Sequence, residues 1–244
     1  MPSERYLATW MIPSWSLLLV CLLALGACGQ AVPVDSIADE PYYQNPALLE
    51  RAWQQPVAAT YREGFEYQNN WAFCGPATVV NLFHSLGIDR YTQENLFDNT
   101  PLGYWKARIL GLTLDEMAEL IESTSDDDAV ILRDLTREEF RARLRDTNDP
   151  TKRYLINFNR APLFGVAIGH YSPIGGYLED QDLVFVLDVL DKYKPFLVPA
   201  DRLYEAMDTV DSETGKKRGL IRVGRGKAAP PDAGAPPEQG RPVP

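Results

Sequence analysis

Apolar side chains recur at Val79, Leu82, Phe83 and Leu86, the spacing of one buried helix face. Pro76 suits the first turn of such a helix, where a missing N–H costs nothing, and Gly87 suits its stop. The pattern therefore predicts a helix beginning at about Cys74. Further helices are predicted at 46–53 and, more briefly, at 201–207. Thr113 with Glu116 and Thr136 with Glu139 have the spacing of capping boxes, which should open helices over 114–123 and 137–146. Asp126-Asp127-Asp128 between them reads as a solvated loop. Further along, β-branched and aromatic runs separated by turn residues predict strands at 154–158, 166–177, 183–189 and 220–223. Helices first and an antiparallel sheet after them indicate an α+β domain.

Composition places this domain in a larger layout. The chain has 244 residues, 45% of them apolar, enough for one sizeable core. Its formal charge of −10 disfavours nucleic acid as a partner. The N-terminus carries Arg5, then the apolar run Leu17–Leu25, then Gly26-Ala27-Cys28. That pattern resembles a bacterial lipoprotein signal. It implies removal of residues 1–27 and a lipid on Cys28. The expected location is the periplasmic side of the cell envelope, held to the membrane by that lipid, with the outer membrane favoured because Gly29 rather than Asp follows the cysteine. Residues 28–44 read as a tether, 45–224 as the folded domain, and the Pro/Gly-rich stretch 225–244 as a disordered tail.

Processing of that kind removes Cys21 and acylates Cys28, leaving Cys74 as the one free thiol. Counted alone, Cys74 fits a buried structural residue as well as a reactive one. Its place at a helix start favours the second, because unpaired N–H groups there stabilise a thiolate. A thiol nucleophile needs a base. His84 lies ten residues further along the same helix, roughly 15 Å away, and cannot reach. His170 is the other histidine. A hairpin turn centred on Glu179 would set His170 and Asp188 directly opposite each other on one face. A bulge at Pro173 or at Gly175-Gly176 would shift that register by one. Asp188 sits in an apolar strand, where a carboxylate needs a partner. Cys74, His170 and Asp188 thus form a candidate triad of papain-like layout, with the Cys74 N–H and the Gln68 side chain as oxyanion donors. No metal set is encoded by one free cysteine and two separated histidines. No Gly-rich phosphate loop occurs, and no resident cofactor is expected.

Gln68 with Ala72-Phe73-Cys74-Gly75, then Gly169–Tyr177, then Val186–Val189 resemble the phytochelatin synthases, papain-like transferases acting on glutathione. The stretches 198–208 and 218–223 add to the likeness. The resemblance implies Cys74 as nucleophile, His170 as base and acid, Asp188 as its orienter and Gln68 as oxyanion donor. It also implies a substrate-binding role for Arg160, ten residues before the histidine. Metal ions would enter only as thiolate complexes of the substrate. Three departures stand out. Asp191 replaces an arginine of the plant members, Gly165–Ile168 replaces their Gln-Thr-Gly stretch, and the Pro/Gly tail stands in place of a cysteine-rich region. Short bacterial forms of the family mostly hydrolyse glutathione, so the expectation is cleavage of its Cys–Gly amide, or that of a glutathione conjugate, in preference to phytochelatin synthesis. The alternatives are a papain-like peptidase or amidase acting on envelope peptides, and a non-catalytic envelope binding lipoprotein.

Overall fold

A computed structural model describes residues 36–224. The expected export signal with Cys28, the start of the expected tether and the Pro/Gly-rich stretch lie outside them. Helices α1 (Pro46–Trp53), α2 (Pro56–Arg62), α3 (Cys74–Ser85), α4 (Tyr104–Leu110) and α5 (Leu114–Thr124) come first. Strand β1 (Asp128–Arg133) and α6 (Arg137–Asp146) follow, then β2 (Lys152–Asn159) and the short α7 (Ala161–Phe164). Strands β3 (Gly169–Leu178), β4 (Leu183–Val186) and β5 (Phe196–Pro199), helix α8 (Ala200–Met207) and β6 (Gly219–Gly224) complete the chain. The strands form one antiparallel sheet in the order β1-β6-β2-β3-β4-β5. This is the α+β class expected, a largely helical first half packed on a sheet.

Both capping boxes close as their spacing requires: Thr113 and Thr136 each accept from the N–H three residues on, and Glu116 and Glu139 reach back. Asn45 caps α1 by accepting from the Ala47 and Leu48 N–H groups. Two expectations fail. Residues after Asp127 form β1 rather than loop, because they find partners in β6, about ninety positions later. Residues 36–44, expected within the tether, belong to the fold. Ile37 and Tyr43 are buried in the core, and the Tyr43 hydroxyl donates to the Tyr193 carbonyl.

Helices cover both faces of the sheet. On one, α3 and α5 pack against Leu155, Tyr171, Ile221 and Val223. Nearby, α1 and α2 meet Phe185, Leu187 and Leu197. On the other, α6 and α8 cover Ile156, Phe158, Ile174 and Val186. Helix α3 was expected to bury one stripe. It is buried nearly all round, from Gly75 to Phe83 and again at Ser85, because α2, α5 and the sheet enclose it. Each of its large apolar side chains contributes roughly 1.5–3 kcal/mol by leaving water. The N-terminus of α3 is therefore held on a rigid axle. Gly75 fits because a Cβ there would lie 2.9 Å from the Met117 sulfur.

The β3–β4 hairpin departs from the expected register. Leu178 pairs with Leu183 and Gly176 with Phe185, but Ile174 pairs with Val186, so one extra residue, Gly175, bulges between them. The Leu187 N–H then donates to the Pro173 carbonyl. Continued by one residue, this register sets Asp188 level with Ser172, one side-chain step from His170 rather than opposite it. Strand side chains alternate, so an even offset keeps both residues on one face. Without the bulge the offset would be odd, and Asp188 would face away. β4 itself ends at Val186, so Asp188 lies just beyond the strand predicted for it.

Candidate active site

Cys74 is the first residue of α3, a free thiol and half-buried. His170, the second residue of β3, stands opposite Phe158 in the sheet and is buried. Its Nε2 lies 3.0 Å from Asp188 Oδ1, and with that nitrogen engaged Nδ1 is left for the sulfur. Cys74 and His170 are close enough for each to shift the other's titration. The sheet explains how the sulfur gets there. Before the Gly175 bulge, odd-numbered residues of β3 turn their peptide groups toward the β4 side, as the Leu187–Pro173 bond shows. β4 has ended by the level of Tyr171, so the Tyr171 N–H is free of strand pairing on that side and favours the charged form of Cys74.

Charges follow from this placement. Burial pushes the Cys74 thiol up, but the hydrogen bond and charge of His170, the Tyr171 N–H and Arg160 outweigh it, and its pKa is lowered. Burial pulls His170 down and Arg160 adds to that. The Asp188 charge, with hydrogen bonds to Asp188 and Cys74, prevails, and its pKa is raised. Burial also pushes Asp188 up, while His170, Arg160 and the Leu190 N–H hold it below the usual carboxylate value. All three shifts favour a thiolate beside an imidazolium.

Arg160 departs from its expected role. It is 2% exposed, and its Nη2 donates to both Asp188 oxygens at 2.9 and 2.7 Å. Its guanidinium lies 4.0 Å from the Tyr193 ring centre, with Phe158 and Phe164 on its other sides. There it positions the carboxylate that positions the histidine, while its Nη1 is left without a partner. Gln68 stands beside the site, its N–H donating to the Val189 carbonyl at 2.7 Å. Its Nε2 donates to the Asn70 and Trp71 carbonyls, while Oε1 is buried without a partner. Buried Asn81 on α3 holds this loop through the Glu66 N–H and carbonyl. His84 lies off the site, 3.3 Å from the Gly64 carbonyl.

Beside Cys74 opens a pocket of about 230 Å³, walled in part by Asn157, Gly169, Tyr171, Asp211 and Arg218. Arg218 is buried, with Nη1 on Thr209 Oγ1 and the Val210 carbonyl, Nη2 4.0 Å from Asp211, and Nε unpartnered. Asn157 Oδ1 is also buried and unpartnered. Gly169 makes room for the guanidinium, since a Cβ there would lie 2.9 Å from Nη2. Lys106 on α4 bridges Glu116 and Glu213, tying α5 to the loop that carries Asp211. Sequence reasoning assigned no role to Asn157, Asp211 or Arg218. The available signal was an arginine directly before the apolar strand 219–224.

A family model described as phytochelatin synthase matches residues 35–220. The chain belongs to the phytochelatin synthase family. Its curated relatives include glutathione gamma-glutamylcysteinyltransferase 3 of Lotus japonicus, 32% identical over 68% of this chain and 37% of that protein. The wheat (Triticum aestivum) glutathione gamma-glutamylcysteinyltransferase 1 is 34% identical over 68% of this chain and 35% of its own length. The chain thus spans a little over a third of the curated phytochelatin synthase relatives it matches. Among solved structures, the peptidase domain of Streptococcus ComA, a bi-functional ABC transporter of a quorum-sensing pathway, aligns with a TM-score of 0.45 and 16% identity. That alignment covers 65% of this chain and 96% of the domain.

Proposed function

We propose that this protein cleaves the Cys–Gly amide of glutathione or a glutathione conjugate through a γ-glutamylcysteinyl thioester on Cys74. The observation that carries the reading is the joining of a Cys74–His170–Asp188 triad to a pocket holding Arg218 and Asp211. A γ-glutamyl end carries a free α-carboxylate and a free α-ammonium. Arg218 suits the first, Asp211 the second, and the orphaned Asn157 oxygen a further N–H. The names of the relatives support glutathione as substrate.

In this reading the Cys74 thiolate attacks the cysteinyl carbonyl. The oxyanion is met by the Cys74 N–H and by Gln68, whose amide exchanges its bond to the Trp71 carbonyl for the new charge. His170 gives its proton to the departing glycine amine. It then takes one from the water that resolves the thioester, and hydrolysis prevails over transfer to a second glutathione. Metal ions enter as thiolates of the substrate. The N-terminal pattern supports a protein lipidated at Cys28 and held on the periplasmic side of the envelope. Intact mass after incubation with glutathione tests the chemistry. The expected result is a gain of one γ-glutamylcysteinyl group on Cys74 with glycine released, and neither in Cys74→Ala. Equal glycine release from both would remove the mechanism.

A further inference from the structure

Large apolar side chains that stand well exposed are confined, among the described residues, to one region. Trp71 and Trp105 are 76% and 70% exposed. Trp71, Leu110 and Ile168, all exposed, stand around one opening, that of the Cys74 pocket. Trp105 and Ile109 lie about one turn apart on α4, which ends at Leu110. Exposed Val166 precedes Ile168 in the connection from α7 to β3, and exposed Val210 adjoins Asp211 of the same pocket. Scattered apolar residues are ordinary on a surface, but a contiguous patch marks a place where something docks.

The charges beside the patch are already engaged. Lys106 on α4 ties to Glu116 and Glu213, and Arg108 lies over the Phe73 and Tyr104 rings. Asp211 lies 4.0 Å from Arg218. The face thus offers indole and aliphatic surface with its neighbouring charges paired, which suits a zwitterionic surface better than a strongly charged one. Tryptophan is also the side chain that favours the boundary between hydrocarbon and water. The path of the chain points the same way. The turn Ile37–Asp39 packs against α7, and α7 runs directly into the connection that carries Val166 and Ile168. Cys28 stands eight residues before Ser36, a reach of at most about 29 Å. A lipid on Cys28 would therefore keep the α7 end of the domain no farther from its membrane than about one bilayer thickness.

We propose that Trp71, Trp105 and the apolar side chains around them seat the mouth of the Cys74 pocket on the surface of a zwitterionic lipid bilayer; this rests on the lipidated, envelope-held reading given above. The contact is made by moving indole and aliphatic surface out of water into the headgroup region and the upper acyl chains, with no covalent step. Docking covers the rim of the pocket and leaves His170 and Asp188, both buried in the protein, as they are.

Phosphatidylcholine vesicles with brominated acyl chains quench the fluorescence of tryptophans that enter them, and they supply the test. The protein purified from cells is read with these vesicles and with unbrominated ones, and mass spectrometry decides separately whether Cys28 carries a lipid. Quenching is expected, most of it lost in Trp71→Phe/Trp105→Phe and kept in Trp53→Phe, whose half-buried ring packs on Phe185 instead. Ile109→Asp, exposed on α4 and outside the pocket, should abolish the quenching of Trp71 and leave glycine release from dissolved glutathione unchanged. No quenching, or quenching equal in the wild type and in Trp71→Phe/Trp105→Phe, overturns the proposal; glycine release and a lipid found on Cys28 would then leave the earlier readings standing. A dimer in sedimentation velocity that Ile109→Asp splits, with no quenching, assigns the face to a second copy of the chain and overturns it as well. If Cys28 is found bare, the anchor reading falls, and quenching by added vesicles still decides the docking.

Discussion

Arg160 bridges both carboxylate oxygens of Asp188 through a single nitrogen, beneath the ring of Tyr193. An exposed pair of this kind would contribute little, but this one is out of water on both sides. Arg160→Lys keeps a charge and loses the planar group that stacks on Tyr193. Asp188 is then less well fixed, and so is the imidazole it orients. The expected outcome is a kcat lowered by roughly 10²-fold with KM little changed, since the residue acts through Asp188. Arg160→Met leaves a buried carboxylate short of a partner and should cost about 3–5 kcal/mol in urea unfolding. Steady-state kinetics beside denaturation curves check both.

Cys74 and His170 shift toward each other, the thiol down from 9.0 and the imidazole up from 6.5. Unperturbed, the imidazolium is gone before the thiolate forms. Shifts in these directions widen the range in which both are charged. The signs also fix stability. The raised His170 pKa stabilises the fold fully below pH 6.5 and fades as pH rises through the folded value. The lowered Cys74 pKa stabilises it fully above pH 9.0 and fades as pH falls through its folded value. Iodoacetamide should therefore alkylate Cys74 readily near neutral pH. Asp188→Asn withdraws the charge that raises His170, and the alkylation rate at pH 7 should fall. Superposable pH–rate profiles for the two proteins would contradict this.

Arg218 separates binding from chemistry, because it touches the pocket and not the triad. Arg218→Gln should raise KM by about 10- to 100-fold, the range for losing a charged hydrogen bond, with kcat changed far less. Gly169→Ala, which crowds the same guanidinium from the backbone side, should raise KM in the same direction. Initial rates over a range of glutathione concentrations separate the two constants.

What could be read in advance divides by distance along the chain. Thr113 with Glu116, and Thr136 with Glu139, close their bonds within one turn, so those helix starts were visible in four letters. Cys74 and His170 were found because each was nearly alone of its kind. β1 was hidden because an acidic opening reads as loop until Gly219–Gly224 supplies a partner. Arg160 could be noticed but not understood, since its aromatic cage draws on Phe158, Phe164 and Tyr193. Asn81 looked like one more residue of a helix. Its carboxamide bonds to Glu66, fifteen positions back, exist only once the loop before Cys74 has folded over it.

Lys106 is held by two carboxylates that water can still reach, Glu116 and Glu213. The triad is held by an ion pair sealed from water, Arg160–Asp188, whereas α4 and the 208–217 loop are tied by ion pairs that face it. Dissolved salt screens the water-exposed Lys106 pairs far more than the buried Arg160–Asp188 pair, so ionic strength loosens the tie between α4 and the 208–217 loop before it touches the triad.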